Sequence, residues 1–399
     1  MDITWEIALD LMRRSLYDTS DPVDAGFASA DWNHVFTFLR EHAVIPFAWH
    51  AIRKTPAYSR AVPAEIQARM RSIVLNGVFA NECLMEAQDG IIRLFGENGI
   101  PCAVLKGSSV AANYPRPELR ALGDIDLLVR PDALDVARDL LIKEGYALEK
   151  REKAHDFHIS FRKNNVLVEL HFAVSHIPDA KRAECVDELM EDALDGVLWR
   201  PAEPYVFPTL SPAHQAVSLL LHMERHWVDE GIGLRQLMDW HTFVHSNDEK
   251  TWREIMAALE RCRLSRLAAV FTAVCVSYLG LEKCAWCPAE GLSGDMMRDI
   301  LESGHFGSRM KAGWAIRMFY DKDRKCDASF IFGTIRGMSR NIQSKYPVCA
   351  NIPVLLVFFW LYLPLRYWVR RLRGLRAKRS CGRMMVIAAA RKKIYQALN

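Results

Sequence analysis

The chain has 399 residues, of which half are hydrophobic and a quarter are charged. This composition excludes a disordered or collagen-like chain, and the length favours two or three domains. The formal net charge of +4 is too small to indicate nucleic-acid binding by itself. The N-terminus lacks the basic-then-apolar pattern of a secretory signal, and the ten cysteines are scattered. We therefore expect reduced thiols and a cytoplasmic location.

The first hundred residues have the periodicity of helices. Apolar residues recur at helical spacing around Trp5 and again around Trp32, and a turn cluster at 19–22 separates the two groups. A long helix is predicted to begin near Pro63, because proline fits the first helical turn, and to end before Gly96. We predict a helical N-terminal segment over 1–99.

From Pro101 the pattern changes to short apolar runs separated by glycine and proline. A strand at 102–105 meets the turn Lys106-Gly107-Ser108-Ser109, and a second strand is predicted from Asp124 to Val129. An amphipathic helix should follow over 132–144. This alternation predicts an α/β (α+β) fold, with a small mixed sheet over 100–200 and flanking helices.

Two further strands are predicted around Asn164-Asn165, whose residues tolerate the positive φ of a tight hairpin turn. Position 163 should then face position 166. Because side chains alternate along a strand, this register separates an apolar face from a polar face. The polar face carries His158, Ser160, Glu169 and His171.

Asp124 and Asp126 are two residues apart on a predicted strand, so both side chains point to one face, roughly 6.6 Å apart along the chain. Ile125 and Leu127 then point into a core. Carboxylates suit hard divalent cations, and two neighbouring carboxylates repel each other unless a cation lies between them. The pattern predicts a metal site, with an exposed edge strand bearing two solvated acids as the alternative.

Phosphate contacts are predicted upstream of the acidic pair. Gly107 would let a phosphate approach backbone N–H groups, and Ser108 and Ser109 offer hydroxyl donors. Lys106 and Arg120 are candidates for neutralising phosphate charge, although a lone basic residue is as often a solvated surface cation. His158 and His171 share the face of Glu169, where each is either a buried structural histidine or a substrate contact.

These motifs together resemble the polymerase-beta-like nucleotidyltransferase superfamily, in which a strand and a Gly-Ser turn precede Asp-x-Asp and a third carboxylate follows on a later strand. More narrowly, the chain resembles an uncharacterised bacterial nucleotidyltransferase family. The motifs that carry this likeness are Leu105-Lys-Gly107, Tyr114-Pro115, Arg120, Gly123-Asp-Ile-Asp126, Gly145-Tyr146 and Glu169-Leu-His171. The resemblance implies that Asp124, Asp126 and Glu169 bind Mg²⁺ or Mn²⁺ beneath a nucleoside triphosphate (NTP).

A loop with four prolines marks a predicted boundary near Pro201. Helical periodicity returns from Ala213 to about Gly280 and continues more weakly to about Tyr346, so we predict a helical domain over 201–346. The likeness to the family continues weakly here through His222, Arg235 and Asp239. Arg235 and Asp239 have the i, i+4 spacing of one helix face. We interpret them as an internal ion pair that fixes the helical domain against the core.

The tail over 347–399 combines an apolar stretch at 348–365 with a basic run. Between Arg366 and Lys393 there are eleven Lys or Arg and no Asp or Glu. The stretch is at the lower edge of the length of a membrane span, so a packed helix, a helix on the membrane surface and a spanning helix are all alternatives. The basic flank favours peripheral contact with the inner membrane surface.

The sequence therefore predicts a metal-dependent nucleotidyltransferase. It would move a nucleoside monophosphate from an NTP such as ATP to an unidentified acceptor and release pyrophosphate. The alternative is a non-catalytic nucleotide-binding or regulatory protein with the same fold, because fold does not fix function. The presence of all three carboxylates favours the enzyme, and nothing in the pattern indicates nucleic acid as a partner.

Overall fold

A computed structural model describes residues 2–308, apart from gaps at 20–22, 24–25, 28–29, 150–156, 175–176, 178–179 and 288–290, together with Arg391 and Ile394. Helices predominate in these residues. They are α1 (Ile3–Tyr17), α2 (Trp32–Glu41), α3 (Ile45–Lys54), α4 (Pro56–Ala61), α5 (Ala64–Glu97), α6 (Ser108–Ala111), α7 (Leu134–Lys143), α8 (Ala180–Met190), α9 (Pro212–Asp229), α10 (Leu234–His245), α11 (Glu249–Arg261), α12 (Ser265–Leu279) and α13 (Ser293–Ser303).

One mixed sheet of seven strands forms the centre of the core. Its strands are β1 (Cys102–Val104), β2 (Ile125–Val129), β3 (Ala147–Leu148), β4 (His158–Lys163), β5 (Val166–His171), β6 (Leu198–Ala202) and β7 (Tyr205–Thr209). Their order across the sheet is β3-β4-β5-β2-β1-β7-β6. The pairs β2/β5 and β1/β7 are parallel, and the other pairs are antiparallel. The predicted mixed α/β (α+β) class is confirmed.

The hairpin register predicted from the Asn-Asn turn is confirmed. Lys163 pairs with Val166 and Asn164 has a positive φ of 54°. Phe161, Val168 and Leu170 then face a buried apolar cluster with α5 and α7. The opposite face carries His158, Ser160, Glu169 and His171, all of which are also buried. The polar residues of this hairpin therefore lie inside the protein, where polar groups need partners.

The helices at the two ends of the described chain share one apolar core. Residues of α1, α2 and α3 pack in the same cluster as residues of α9 to α13. Hydrogen bonds also join them directly, among them those from Tyr17 Oη to the Gly280 carbonyl (2.7 Å) and from Arg13 Nη1 to the Tyr278 carbonyl (3.1 Å). The helix α5 contributes to this cluster near Ile66 and to the sheet's cluster near Phe95.

The predicted boundary at 200–201 falls inside the β6–β7 hairpin, and both of these strands belong to the sheet. The chain of the core therefore extends to Thr209. The division into four segments stays a prediction, and we place its second boundary after that residue.

Most of the apolar-then-basic tail predicted over 347–399 lies outside the described residues. Within them, Arg391 and Ile394 are almost fully buried in the helical body. Arg391 Nε donates to both carboxylate oxygens of Asp299, at 2.8 and 2.9 Å. No helix among the described residues is long and apolar enough to cross a membrane.

Candidate active site

The structure brings the three predicted carboxylates together. Asp126 on β2 is paired in register with Glu169 on the parallel neighbour β5, and Asp124 lies one residue before β2. Each of the three offers a carboxylate oxygen within 4.8 Å of the other two. Ile125 and Leu127 point into the apolar cluster on the other face. This alternation allows a strand to carry two acids that point to the same face.

Asp126 is almost fully buried and is held by two cationic or hydrogen-bonding partners. Its Oδ1 lies 2.9 Å from Lys106 Nζ and 2.9 Å from His171 Nε2. Burial opposes ionisation, but Lys106 and His171 outweigh it and keep the pKa of Asp126 below its ordinary value. Asp126 is therefore an ionised carboxylate at neutral pH.

Asp124 has the opposite shift. Burial, followed by the charge of Asp126, raises the pKa of Asp124 to about 6. An acid that is harder to ionise beside a second carboxylate is stabilised in its charged form by a cation. The donor set consists of carboxylate oxygens, which Mg²⁺ and Mn²⁺ prefer. The three acids thus fit a divalent cation in geometry and in chemistry.

Two histidines lie beside Glu169. His158 Nε2 is 3.5 Å from Oε1, and His171 Nε2 is 3.5 Å from Oε2. Burial opposes ionisation of Glu169, but His171, His158 and Lys106 lower its pKa overall. His158, Glu169 and His171 also offer ligand atoms within 4.8 Å of one another. The histidines therefore hold the carboxylates in place, and Glu169 belongs to two overlapping groups of potential ligands.

The turn after β1 brings Lys106 and Gly107 next to Asp126 and Asp124. Gly107 has φ +62° and ψ −110°, and a Cβ there would lie 3.5 Å from the Asp124 carbonyl oxygen. The two serines that follow have internal partners. Ser108 Oγ donates to Gln88 Oε1 (2.7 Å), and Ser109 Oγ donates to the Lys106 carbonyl (3.3 Å). Lys106 is thus the member of this turn whose side chain contacts the carboxylates.

A protein-family model described as an uncharacterised nucleotidyltransferase matches residues 28–280. The match covers more than half of the chain and includes the three carboxylates and the Gly107 turn. The chain belongs to this family of nucleotidyltransferases. The membership supports a general role in nucleotidyl transfer, with an NTP as substrate. No curated protein matches the sequence.

The helical region forms a second wall of the site. Lys106 Nζ lies 3.3 Å from Nδ1 of His222 on α9. Burial and the charge of Lys106 keep the pKa of His222 well below its ordinary value, so the imidazole is neutral at neutral pH. In the sequence, His222 is distinguished only by the family likeness, and its contact with Lys106 was not predicted. Nothing in the spacing of the sequence indicates a contact between residues 116 positions apart.

Arg120 lies in a different buried cluster. Its Nε and Nη2 donate to the two carboxylate oxygens of Asp239 at 3.0 and 2.8 Å, and Tyr114 Oη donates to Asp239 at 2.7 Å. Burial opposes ionisation of Arg120, but Asp239 raises its pKa overall. Arg120 therefore fixes the loop before β2 to α10. Its predicted phosphate contact would compete with this ion pair.

Proposed function

We propose that this protein is a metal-dependent nucleotidyltransferase that moves a nucleoside monophosphate from an NTP to an acceptor and releases pyrophosphate. The observation that carries the proposal is the convergence of Asp124, Asp126 and Glu169, whose oxygens lie within 4.8 Å of one another at two adjacent strands, with Asp124 directly before the first of them. Placement in the polymerase-beta-like superfamily belongs to the same proposal.

Asp124 and Asp126 would hold Mg²⁺ or Mn²⁺, and Glu169 would complete the set of ligands. The metal would neutralise the triphosphate and stabilise the charge that develops on the attacking and leaving oxygens. Lys106 already pairs with Asp126. A bound cation would compete for Asp126, and the Lys106 ammonium group would then be available to pair with a phosphate oxygen.

The reaction joins the acceptor oxygen to the α-phosphorus while the bond from that phosphorus to the bridging oxygen of the β-phosphate breaks. Pyrophosphate leaves with the electron pair of that bond. The acceptor loses a proton, and we assign Glu169 the role of accepting it. Its lowered pKa keeps Glu169 ionised at neutral pH and therefore able to act as a base.

The test uses an NTP labelled in the α-phosphate, with Mg²⁺ or Mn²⁺, and measures pyrophosphate release and label on protein, RNA or small molecules. We expect Asp126→Asn and Glu169→Gln to reduce release by at least about 100-fold, because each removes a charge that acts on the reacting groups. Asp132→Asn and Glu254→Gln make the same chemical changes at exposed positions, and both should retain the activity.

Metal binding gives a second measurement on the same variants. In a melting experiment Mn²⁺ should stabilise the wild-type chain and the two control variants more than Asp126→Asn or Glu169→Gln. Unchanged pyrophosphate release in folded Glu169→Gln would remove Glu169 from the mechanism. An NTP that binds and stabilises the protein without any turnover would instead support the non-catalytic nucleotide-binding alternative.

A further inference from the structure

Arg235 lies in the first turn of α10 and reaches toward the loop that carries Asp124. Its Nη1 donates to the Ala121 carbonyl at 3.2 Å, three residues before Asp124. Its Nε is buried and has no hydrogen-bond acceptor among the described residues. The guanidinium is thus anchored at one nitrogen beside the metal-binding carboxylates, and part of its donor capacity is unused.

The ion pair expected between Arg235 and Asp239 is not formed among the described residues. Arg120 and Tyr114 together donate three hydrogen bonds to the Asp239 carboxylate. Arg235 makes no ion pair with any residue that the structure describes. The two arginines therefore have different partners within the described part of the chain, a carboxylate for Arg120 and a single carbonyl for Arg235.

The Arg235 side chain is half-buried and has no ion-pair partner among the described residues. Such a cation is destabilised, because desolvation removes hydration that one carbonyl does not replace. Burial lowers the pKa of Arg235 to about 10, and the like charge of Arg120 adds to this effect. The charge of Asp239 and then that of Asp124 act in the opposite direction, and Arg235 in turn lowers the pKa of Asp124. The two side chains are thus within electrostatic reach, and Arg235 stays charged at neutral pH.

We propose that Arg235 binds the part of the NTP triphosphate that leaves as pyrophosphate, from the helical wall opposite the carboxylates. The inference rests on the proposed function. A guanidinium has donors in a planar fork that fits two phosphate oxygens, and a phosphate would supply the anion that this cation lacks. Lys106 would contact the same triphosphate from the sheet, so the triphosphate would be bound between the sheet and α10.

The probe is inorganic tripolyphosphate with Mg²⁺, which has the charge of the triphosphate but no base or sugar. Calorimetric titration should show that Arg235→Gln weakens binding of tripolyphosphate and of ATP by about 10- to 100-fold, the usual effect of one charged hydrogen-bonded contact. Binding of AMP should change less than about threefold by the same scale. Arg235→Lys keeps the charge but not the planar fork of donors, so its affinity for tripolyphosphate should lie between those of wild type and Arg235→Gln.

Arg253→Gln is the matched control, because Arg253 is exposed on α11 of the same helical region. It should bind all three ligands like the wild-type chain. Equal tripolyphosphate affinity in wild type and Arg235→Gln would overturn the inference and leave the proposed function standing. Failure of the wild-type chain to bind either tripolyphosphate or any NTP would overturn both.

Folding is checked by circular dichroism before each titration. If Arg235→Gln does not fold, Arg235→Lys takes its place, and wild-type affinity for tripolyphosphate in that variant would count against the role of the guanidinium fork. A purely structural role for Arg235 predicts a lower melting temperature with unchanged selectivity for ATP over AMP. The proposed role predicts that Arg235→Gln loses selectivity for ATP over AMP while its melting temperature is not lower than that of wild type.

Discussion

Two buried clusters of charged residues lie at the junction of the sheet and the helices, and they are built differently. Around Asp239, one carboxylate receives three hydrogen bonds from Arg120 and Tyr114. Around Asp126, three carboxylates meet with Lys106 as the cation that pairs with one of them. The first cluster is balanced in charge and satisfied in hydrogen bonds, whereas the second has excess negative charge.

The difference indicates which cluster is structural and which is functional. A satisfied ion pair fixes two elements and leaves no capacity for a ligand. A cluster of like charges costs stability in the folded chain, so it persists in a protein when it binds a counter-ion or substrate. Neutralising substitutions should therefore have opposite effects on stability in the two clusters.

The largest expected effect comes from breaking the balanced cluster. Arg120→Met leaves Asp239 buried without its cation, and it should lower the free energy of unfolding by about 3–5 kcal/mol in urea denaturation. The double variant Arg120→Met/Asp239→Leu removes both charges and should recover part of the loss. The Mn²⁺-dependent rise in melting temperature should persist in both variants while they fold. A loss below about 1 kcal/mol in the single variant would show that the pair contributes little.

Sequence patterns indicated that the three carboxylates of the unbalanced cluster converge, because two of them are two residues apart and the third lies on a hairpin whose turn can be recognised. Alternation placed Asp124 and Asp126 on one face, and the Asn164-Asn165 turn fixed the register that points Glu169 to the same side. The partner of Asp239 was not predictable in this way. Helical spacing favours Arg235, four residues away, but the actual partner is Arg120, 119 positions earlier in the chain.

The proline-rich segment near residue 201 shows a second limit of sequence patterns. Proline lowers strand propensity, so the segment has the composition of a linker. In the structure β6 is the edge strand of the sheet, where proline is tolerated because one side needs no backbone donor. Local composition therefore indicated a linker and did not show that the segment is a strand beside β7, which is itself paired with β1.

A smaller effect, of opposite sign, should come from neutralising the unbalanced cluster. The pKa of Asp124 is about 6 in the folded chain, whereas the ordinary pKa of an aspartate is 3.8. The folded state therefore holds the proton more tightly than the unfolded chain, and the contribution of Asp124 to stability falls as pH rises from about 4 to about 6. At pH 7 without metal, Asp124→Asn should raise the free energy of unfolding by roughly 1–3 kcal/mol.

The same substitution removes a proposed metal ligand. With Mn²⁺ present the wild-type chain should regain stability and the variant should gain little. The melting temperatures of wild type and Asp124→Asn should therefore become equal, or that of wild type should become the higher. Asp132→Asn, at an exposed position, should leave stability unchanged in both conditions. Destabilisation of metal-free Asp124→Asn at pH 7 would contradict the excess negative charge that distinguishes this cluster.

The smallest expected effect concerns the backbone beside the unbalanced cluster. Gly107 has φ +62°, a conformation that an L side chain adopts at a cost of about 1–2 kcal/mol. The added methyl group of Gly107→Ala would meet the Asp124 carbonyl oxygen at 3.5 Å, an ordinary contact, so strain and not collision should cause the loss.

Gly77→Ala is the control, because Gly77 lies inside α5 and a Cβ there meets nothing within 4 Å. That change should stabilise the chain by about 0.5–1 kcal/mol, since alanine favours helix. Urea denaturation of both variants therefore separates backbone strain at the site from a general response to alanine. Because strain that shifts the turn also shifts Lys106, Gly107→Ala should in addition weaken tripolyphosphate binding, whereas Gly77→Ala should not. If the two variants respond alike in stability and in binding, the Gly107 turn has no special role in the site.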